Sequence, residues 1–168
     1  MTTKLLFVCL GNICRSPAAE GMMNYLVREA GLSDRFHCDS AGTSRYHIGA
    51  PPDHRMTMTA RKCGIPLRGQ ARQFQTQDFS QFDLILTMDR QNYRDILSLD
   101  QTGQHRQKVR LICDFCTQYS DREVPDPYYG GADGFVYVLD LLRDACGGLL
   151  QELSASPAPA DGYEPTKP

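Results

Sequence analysis

Cys9 and Arg15 bracket the short run Cys9-Leu-Gly-Asn-Ile-Cys-Arg15, and Ser16-Pro17 follow directly. A thiol and a guanidinium on one loop suit the capture and attack of a tetrahedral dianion. The thiolate is a strong nucleophile, and the planar guanidinium can take two oxygens at once, which an ammonium cannot. The spacing by itself carries little. With seven cysteines in the chain, chance supplies about half a match at average usage. Cys116-Thr-Gln-Tyr-Ser-Asp-Arg122 repeats it with no Gly or Asn between its ends and no strand-to-helix setting, and reads as coincidence. Cysteine attack on a phosphate ester also needs an acid for the departing oxygen and later a base for water. Val124-Pro125-Asp126-Pro127-Tyr128-Tyr129-Gly130 sets one carboxyl between two prolines, far along the chain from Cys9. Pro127 confines Asp126 to an extended backbone, and the two tyrosines present ring faces to an aromatic substrate. Taken alone, this segment would be a Pro-rich surface turn.

The elements around Cys9 give it its setting. Lys4 to Val8 is a short apolar run that fits a buried strand. Ser16 is expected to cap the following helix, with Pro17 at its first position. Ala19, Met22, Met23, Leu26, Val27 and Ala30 mark its buried face, and Gly31 its end. The loop from Leu10 through Gly11, Asn12, Ile13 and Cys14 to Arg15 therefore lies at a helix N-terminus, whose free N–H groups favour an anion. Gly11 is expected to permit a turn that a Cβ would obstruct, and Asn12 to tolerate a left-handed backbone. Thiols in such settings ionise with pKa values of roughly 3.5–7.5 instead of about 8.5, a gain in thiolate at pH 7 of at most about 30-fold. Anion binding and leaving-group stabilisation must supply the rest of the catalysis.

Further along, strands are expected at Phe36–Ser40, Phe82–Thr87 and Val109–Cys113. Helices are expected at Asp53–Cys63, Asp89–Leu99 and over residues 132–153, the last weakened at Gly147-Gly148. Strands alternating with helices imply an α/β fold. The sheet would be doubly wound, four-stranded and parallel, with helices on both faces in a flavodoxin-like three-layer arrangement. Sites in such folds gather at the carboxyl ends of strands, where Cys9, Ser40, Asp89 and the Asp126 loop all fall. Residues 1–153 would form the domain. The tail, 154–168, holds four prolines and no apolar period, and is expected to be disordered or loosely laid on the surface.

The run Cys9 to Pro17, with the late Asp126-Pro127 pair, resembles the low-molecular-weight protein tyrosine phosphatases over about residues 3–153. The resemblance implies hydrolysis of phosphotyrosine through a phosphocysteine, with no cofactor or metal. Cys9 would be the nucleophile, Arg15 the oxyanion clamp, and Asp126 the acid and then the base. Asn12, Ser16 and Ser40 match positions that hold the loop and stabilise the thiolate, although Ser16 would also serve as a helix cap and Ser40 as a turn residue. Asp89 matches a position near the loop arginine, its competing role being a helix cap. Tyr46, Tyr128 and Tyr129 would line the mouth. Cys14 would close a reversible disulfide with Cys9 on oxidation, as against simply packing in the loop. Gly69 stands where vertebrate members carry a His supporting the loop Asn, so that support would be absent or replaced.

Two other activities on this fold fit less well. Arsenate reductases place redox cysteines in the region matching residues 80–95, where this chain has none. Phosphoarginine phosphatases carry Thr at the position of Ile13. A non-catalytic phosphate-binding or redox-sensing module could dispense with Cys9 or Asp126, and both are present. Net charge of −2 with no basic stripe gives no support to a nucleic-acid partner, and no run reaches transmembrane length. An odd number of scattered cysteines favours reduced thiols and the cytosol. Partners would be phosphotyrosine proteins, with phosphate or other oxyanions as products or inhibitors, and the chain would act as a monomer. Cys113 and Cys116 form a lone Cys-x-x-Cys, better read as strand-end packing than zinc. Cys38, Cys63 and Cys146 would be core residues, and the four histidines show no ligand spacing.

Overall fold

Leu5 to Cys9 are buried without a break, so their strand must be covered on both faces. In the computed structural model, which describes residues 1–155, this strand, β1 (Thr3–Cys9), occupies the middle of a four-stranded sheet. It pairs in parallel with β2 (Phe36–Gly42) on one side and β3 (Leu84–Thr87) on the other, and β3 pairs with β4 (Val109–Leu111). The order is β2-β1-β3-β4.

Alternation along β1 sorts the helices. Leu5 and Phe7 pack with α1 (Arg15–Glu29), α2 (His54–Lys62) and α5 (Ala132–Ala155) in the larger core, where Met22, Met56, Phe135 and Leu142 are fully or almost fully buried. Leu6 and Val8 point the other way, to Phe79 of the short α3 (Asp78–Gln81) and Ile96 of α4 (Arg90–Leu99). Helices thus cover both faces, as expected for a doubly wound sheet.

The elements differ from expectation in ways that local pattern does not encode. The α1 helix begins at Arg15, with Cys14 at the cap position and no side-chain capping bond. Ser16 and Pro17 therefore lie inside the first turn, where the missing proline N–H is still harmless. Strand β4 stops at Leu111, and Ile112–Phe115 tighten into a 3-10 turn that buries Cys113. The α2 helix keeps its expected ends: Asp53 accepts from the Arg55 and Met56 N–H groups, and Gly64 follows at φ 77°. Cys63, however, is exposed at the C-cap, not in the core, while Cys146 is fully buried and Cys38 partly so. The α5 helix runs through Gly147-Gly148 and passes residue 153 to reach Ala155, the last described residue. The tail beyond it lies outside the described residues.

Candidate active site

Parallel pairing brings the carboxyl ends of β1, β2 and β3 to one edge, where a cleft of about 440 Å³ opens. The loop from Cys9 to Arg15 forms its floor, and Tyr46, His47, Asp126, Tyr128 and Tyr129 stand around its mouth. Cys9 lies at the bottom, only 3 % exposed. Tyr46 and Tyr129 are almost fully exposed and Tyr128 partly so, with the Tyr128 and Tyr129 rings edge-on at 5.0 Å between centroids.

The thiol has two close polar neighbours. The Asn12 N–H donates to Cys9 Sγ at 3.3 Å, and Ser16 Oγ lies 3.0 Å from it. Ser16 Oγ accepts from Asn12 Nδ2 at 2.7 Å, which leaves its own proton for Sγ or for the more distant Ala41 carbonyl at 3.4 Å. The hydroxyl expected to cap the helix thus faces the thiol from inside the first turn, and no side-chain cap forms because Cys14, not Ser16, stands at the cap position. Asn12 is buried and held left-handed at φ 55°. Its Nδ2 also donates to Ser40 Oγ at 3.0 Å, and its Oδ1 accepts from the Arg72 N–H at 3.0 Å. Its side chain therefore braces the loop from behind, and its backbone faces the thiol. Arg72 supplies the support that Gly69, exposed at φ 87°, does not.

Two glycines serve by leaving room. Gly11 takes no positive φ; a Cβ there would come within 3.0 Å of the His47 ring, so the space is needed for a movable side chain and not for a turn. At Gly42 a Cβ would lie 2.7 Å from the Leu10 carbonyl, a backbone atom that cannot step aside.

Arg15 is 3 % exposed and gripped on one nitrogen. Its Nη1 donates to Asp89 Oδ2 at 2.6 Å and to the Val124 carbonyl at 3.0 Å. Asp89 also caps α4, its Oδ1 accepting from Asn92 N–H at 2.8 Å while Asn92 Oδ1 accepts from Asp89 N–H. Both roles weighed for Asp89 therefore coexist, one on each oxygen. With Nη1 occupied, the Nε–Nη2 edge is left toward the cleft, where Nη2 lies 3.5 Å from Asp126 Oδ2. Burial opposes the charge, but Cys9, Asp89 and Asp126 outweigh it and hold the guanidinium pKa above its ordinary value. Arg15 is a fixed cation on a fixed mount.

Asp126 accepts the Tyr128 N–H on Oδ1 at 3.0 Å. Cys14 is buried within the loop at the cleft floor, and burial, followed by Asp53 and Cys9, pushes its thiol up to about 12. Ile13 and Leu10 line the floor and its edge.

Glu20 of α1 stands behind Ser40, beside Asp39. Burial, then Asp39, raises its carboxyl to about 7 against the pull of Ser40 and Arg72. The folded chain holds this proton more tightly than the unfolded chain does. Its contribution is complete below the ordinary value of 4.5 and is lost as pH rises through about 7. Glu20→Gln, which stays neutral, is expected to unfold at higher denaturant than wild type at pH 8 and at the same denaturant near pH 4.5. Equal midpoints at pH 8 would contradict this.

Sequence reasoning missed His47, Arg72 and Arg55. His47 follows the expected Tyr46, and its ring meets those of Tyr46 and Tyr128 at 5.1 and 6.2 Å. No local pattern marks it. Arg72 acts through its backbone N–H, which carries no residue signal, while its guanidinium pairs with Asp39 and Asp78, each at 3.0 Å. Only Asp53, as a helix-start signal, pointed toward Arg55.

The family model described as low molecular weight phosphotyrosine protein phosphatase matches residues 4–158. A Synechocystis sp. protein named for the same phosphatase group is 60 % identical over 89 % of this chain and 96 % of its own. The human low molecular weight phosphotyrosine protein phosphatase is 40 % identical over 90 % of this chain and 96 % of its own. The crystal structure of a protein tyrosine phosphatase from Entamoeba histolytica with Hepes in its active site superposes with a TM-score of 0.89 at 45 % identity, covering 91 % of this chain and 97 % of that one. With the family model spanning nearly the whole described chain, this protein belongs to the low molecular weight phosphotyrosine protein phosphatases.

Proposed function

We propose that the chain hydrolyses phosphotyrosine on proteins in two displacements at phosphorus. The observation that carries the reading is the convergence of Cys9, Arg15, with its Nη2 near Asp126, and Asp126 itself on one cleft. Phosphate would rest on the N–H groups of the Leu10–Arg15 loop with two oxygens on the guanidinium. Cys9 Sγ attacks phosphorus opposite the phenolic oxygen. The P–O bond breaks, and Asp126 gives its proton to the departing oxygen, leaving phosphocysteine. Asp126, now a carboxylate, takes a proton from water as that water attacks phosphorus, and the S–P bond returns its electron pair to sulfur. Phosphate is released. Ser16 and the Asn12 N–H stabilise the thiolate at both ends of the cycle.

Depth and aromatic walls select the substrate. Cys9 lies at the floor, so the phosphate must arrive on an arm as long as a phenol, and Tyr128 and Tyr129 flank that arm. Ile13 on the floor tolerates a phenyl ring and crowds a guanidinium. Rates on a phosphotyrosine peptide are expected to exceed those on the matching phosphoserine peptide by about 100-fold, with no arsenate reduction above background. Equal rates on the two peptides would overturn the substrate assignment. Asp126→Ala is expected to cost about 10²–10³-fold in kcat/KM on phosphotyrosine. No helix among the described residues is long and apolar enough to cross a membrane. Seven unpaired thiols fit a cytosolic chain, acting as a monomer.

Cys14 serves as a resolving thiol. Peroxide oxidises Cys9 to the sulfenic acid with loss of water, and Cys14 sulfur then displaces a second water to close the disulfide. A Cys14 thiol held at about 12 makes that closure faster as pH rises toward this value. Wild type is expected to regain activity with a dithiol after peroxide, and Cys14→Ser to stay inactive. Equal recovery would remove the role.

A further inference from the structure

The segment after Asp126 carries the acid to the cleft with few ties of its own. Two hydrogen bonds are local: Tyr128 N–H to Asp126 Oδ1 and Gly130 N–H to the Pro127 carbonyl, each 3.0 Å. From Pro127 to Gly131, among the described residues, one hydrogen bond links the segment to an element other than the adjoining α5. Arg55 Nη2 donates to the Tyr128 carbonyl at 3.0 Å. The same guanidinium lies 5.4 Å from the Tyr128 ring centroid and 4.7 Å from that of Phe135 in the first turn of α5, both within cation–π range. The same Nη2, together with Nε, anchors the group on Asp53, with Nη2–Oδ2 at 3.3 Å and Nε–Oδ1 at 3.4 Å. Asp53 in turn donates its N–H to the Ile13 carbonyl at 2.7 Å. An unbroken path runs from the phosphate loop's own backbone, through Asp53 and Arg55, to the residue two after Asp126.

We propose that Arg55 is a positioning residue for general-acid catalysis, clamping the Asp126 loop against the phosphate loop so that the carboxyl meets the leaving oxygen. The inference rests on Asp126 being the acid. Asp126 is tied to Tyr128 by the bond on Oδ1, so the carboxyl follows wherever the Tyr128 backbone goes. Its other polar contact, to Arg15 at 3.5 Å, is too long to hold it alone. A displacement of the order of 1 Å costs about 100-fold in a proton transfer that requires alignment. The Arg55 side chain is 47 % exposed, and exposed ion pairs add little to stability. Its effect therefore falls on geometry more than on folding. Arginine suits the post because one planar group donates in its plane to a carbonyl and a carboxylate while presenting its face to rings, which lysine cannot reproduce.

The test compares Arg55→Met and Arg55→Lys with Asp126→Ala, using aryl phosphates of graded phenol acidity alongside a phosphotyrosine peptide. Arg55→Met is expected to lower kcat/KM on the peptide by about tenfold. It should leave an aryl phosphate with an acidic phenol within about threefold of wild type, since such a phenolate departs unprotonated. The dependence on leaving-group acidity should steepen as it does in Asp126→Ala, with Arg55→Lys in between. Placed on top of Asp126→Ala, Arg55→Met should cost nothing further. Thermal melts and phosphate affinity should match wild type in both Arg55 variants. A uniform loss across all leaving groups, or a full additional loss on the Asp126→Ala background, would overturn the proposal. Asp126→Ala without leaving-group sensitivity would remove the acid assignment itself, and the clamp with it.

Discussion

Cys9→Ser is expected to reduce phosphotyrosine hydrolysis by at least about 10⁴-fold while leaving inorganic phosphate bound as well as in wild type, or more tightly. The two halves of this result come from different parts of the site. Attack needs an ionised sulfur, and a serine hydroxyl neither ionises near neutral pH nor makes a phosphate link that the site is built to cleave. Binding relies on the loop's N–H groups and the Arg15 fork. Neither depends on the thiol, because Ser40 and the Arg72 N–H hold Asn12 and Asp89 holds Arg15. Removing a thiolate from beside a dianion also removes a repulsion. Steady-state rates on a phosphotyrosine peptide and calorimetric titration with phosphate would read the two separately. Hydrolysis within tenfold of wild type would end the phosphocysteine mechanism. Loss of phosphate binding together with rate would mean that the sulfur holds the loop in shape and that its chemistry had not been isolated.

What the sequence made legible follows the range of the interaction involved. Strand β1 and helix α1 were readable because burial on one or both faces repeats within a few residues, and Asp53 and Asp89 because a cap bonds two or three residues away. Ser16 misled for the same reason: local pattern offers it a cap, whereas its hydroxyl meets a thiol seven residues back and the Ala41 carbonyl on the next strand. Arg72 reaches Asn12 across 60 positions through a backbone N–H, and Arg55 reaches Tyr128 across 73. Such pairs exist only once the parallel sheet has set its register, and no residue type announces them. Gly42 shows the same limit. Its reason is the Leu10 carbonyl on the neighbouring chain segment, which pairing of β1 and β2 brings within 2.7 Å of a Cβ. The late strand ended early because Ile112 and Cys113 turn inward into a 3-10 bend, a choice between two buried arrangements that an apolar run does not decide.

Arg15→Lys is the second large effect, and it separates charge from shape. The variant keeps a cation at the loop, so Coulomb attraction for a dianion largely survives. What goes is the mount and the fork. A lysine reaching Asp89 gives up the phosphate, and one reaching the phosphate leaves Asp89 and the Val124 carbonyl without the donor that Arg15 Nη1 provides at 2.6 and 3.0 Å. One ammonium cannot lie in both places. The expected result is a fall in kcat/KM of about 10³-fold, comparable to losing a transition-state donor, against a much smaller change in phosphate affinity. The imbalance arises because the equatorial oxygens spread as phosphorus passes from the phenolic oxygen to sulfur, and two aligned N–H groups follow that change better than a point charge does. Asp89→Asn gives the complement. It keeps one oxygen for the α4 cap but puts an amide NH2, itself a donor, where Oδ2 accepts from Nη1, so the guanidinium stays while its mount and the carboxylate charge go, and the rate should fall by at least about tenfold. If Arg15→Lys retained kcat/KM within tenfold of wild type, charge alone would account for the clamp, and the one-sided grip of Asp89 on Nη1 would be a feature of folding and not of catalysis.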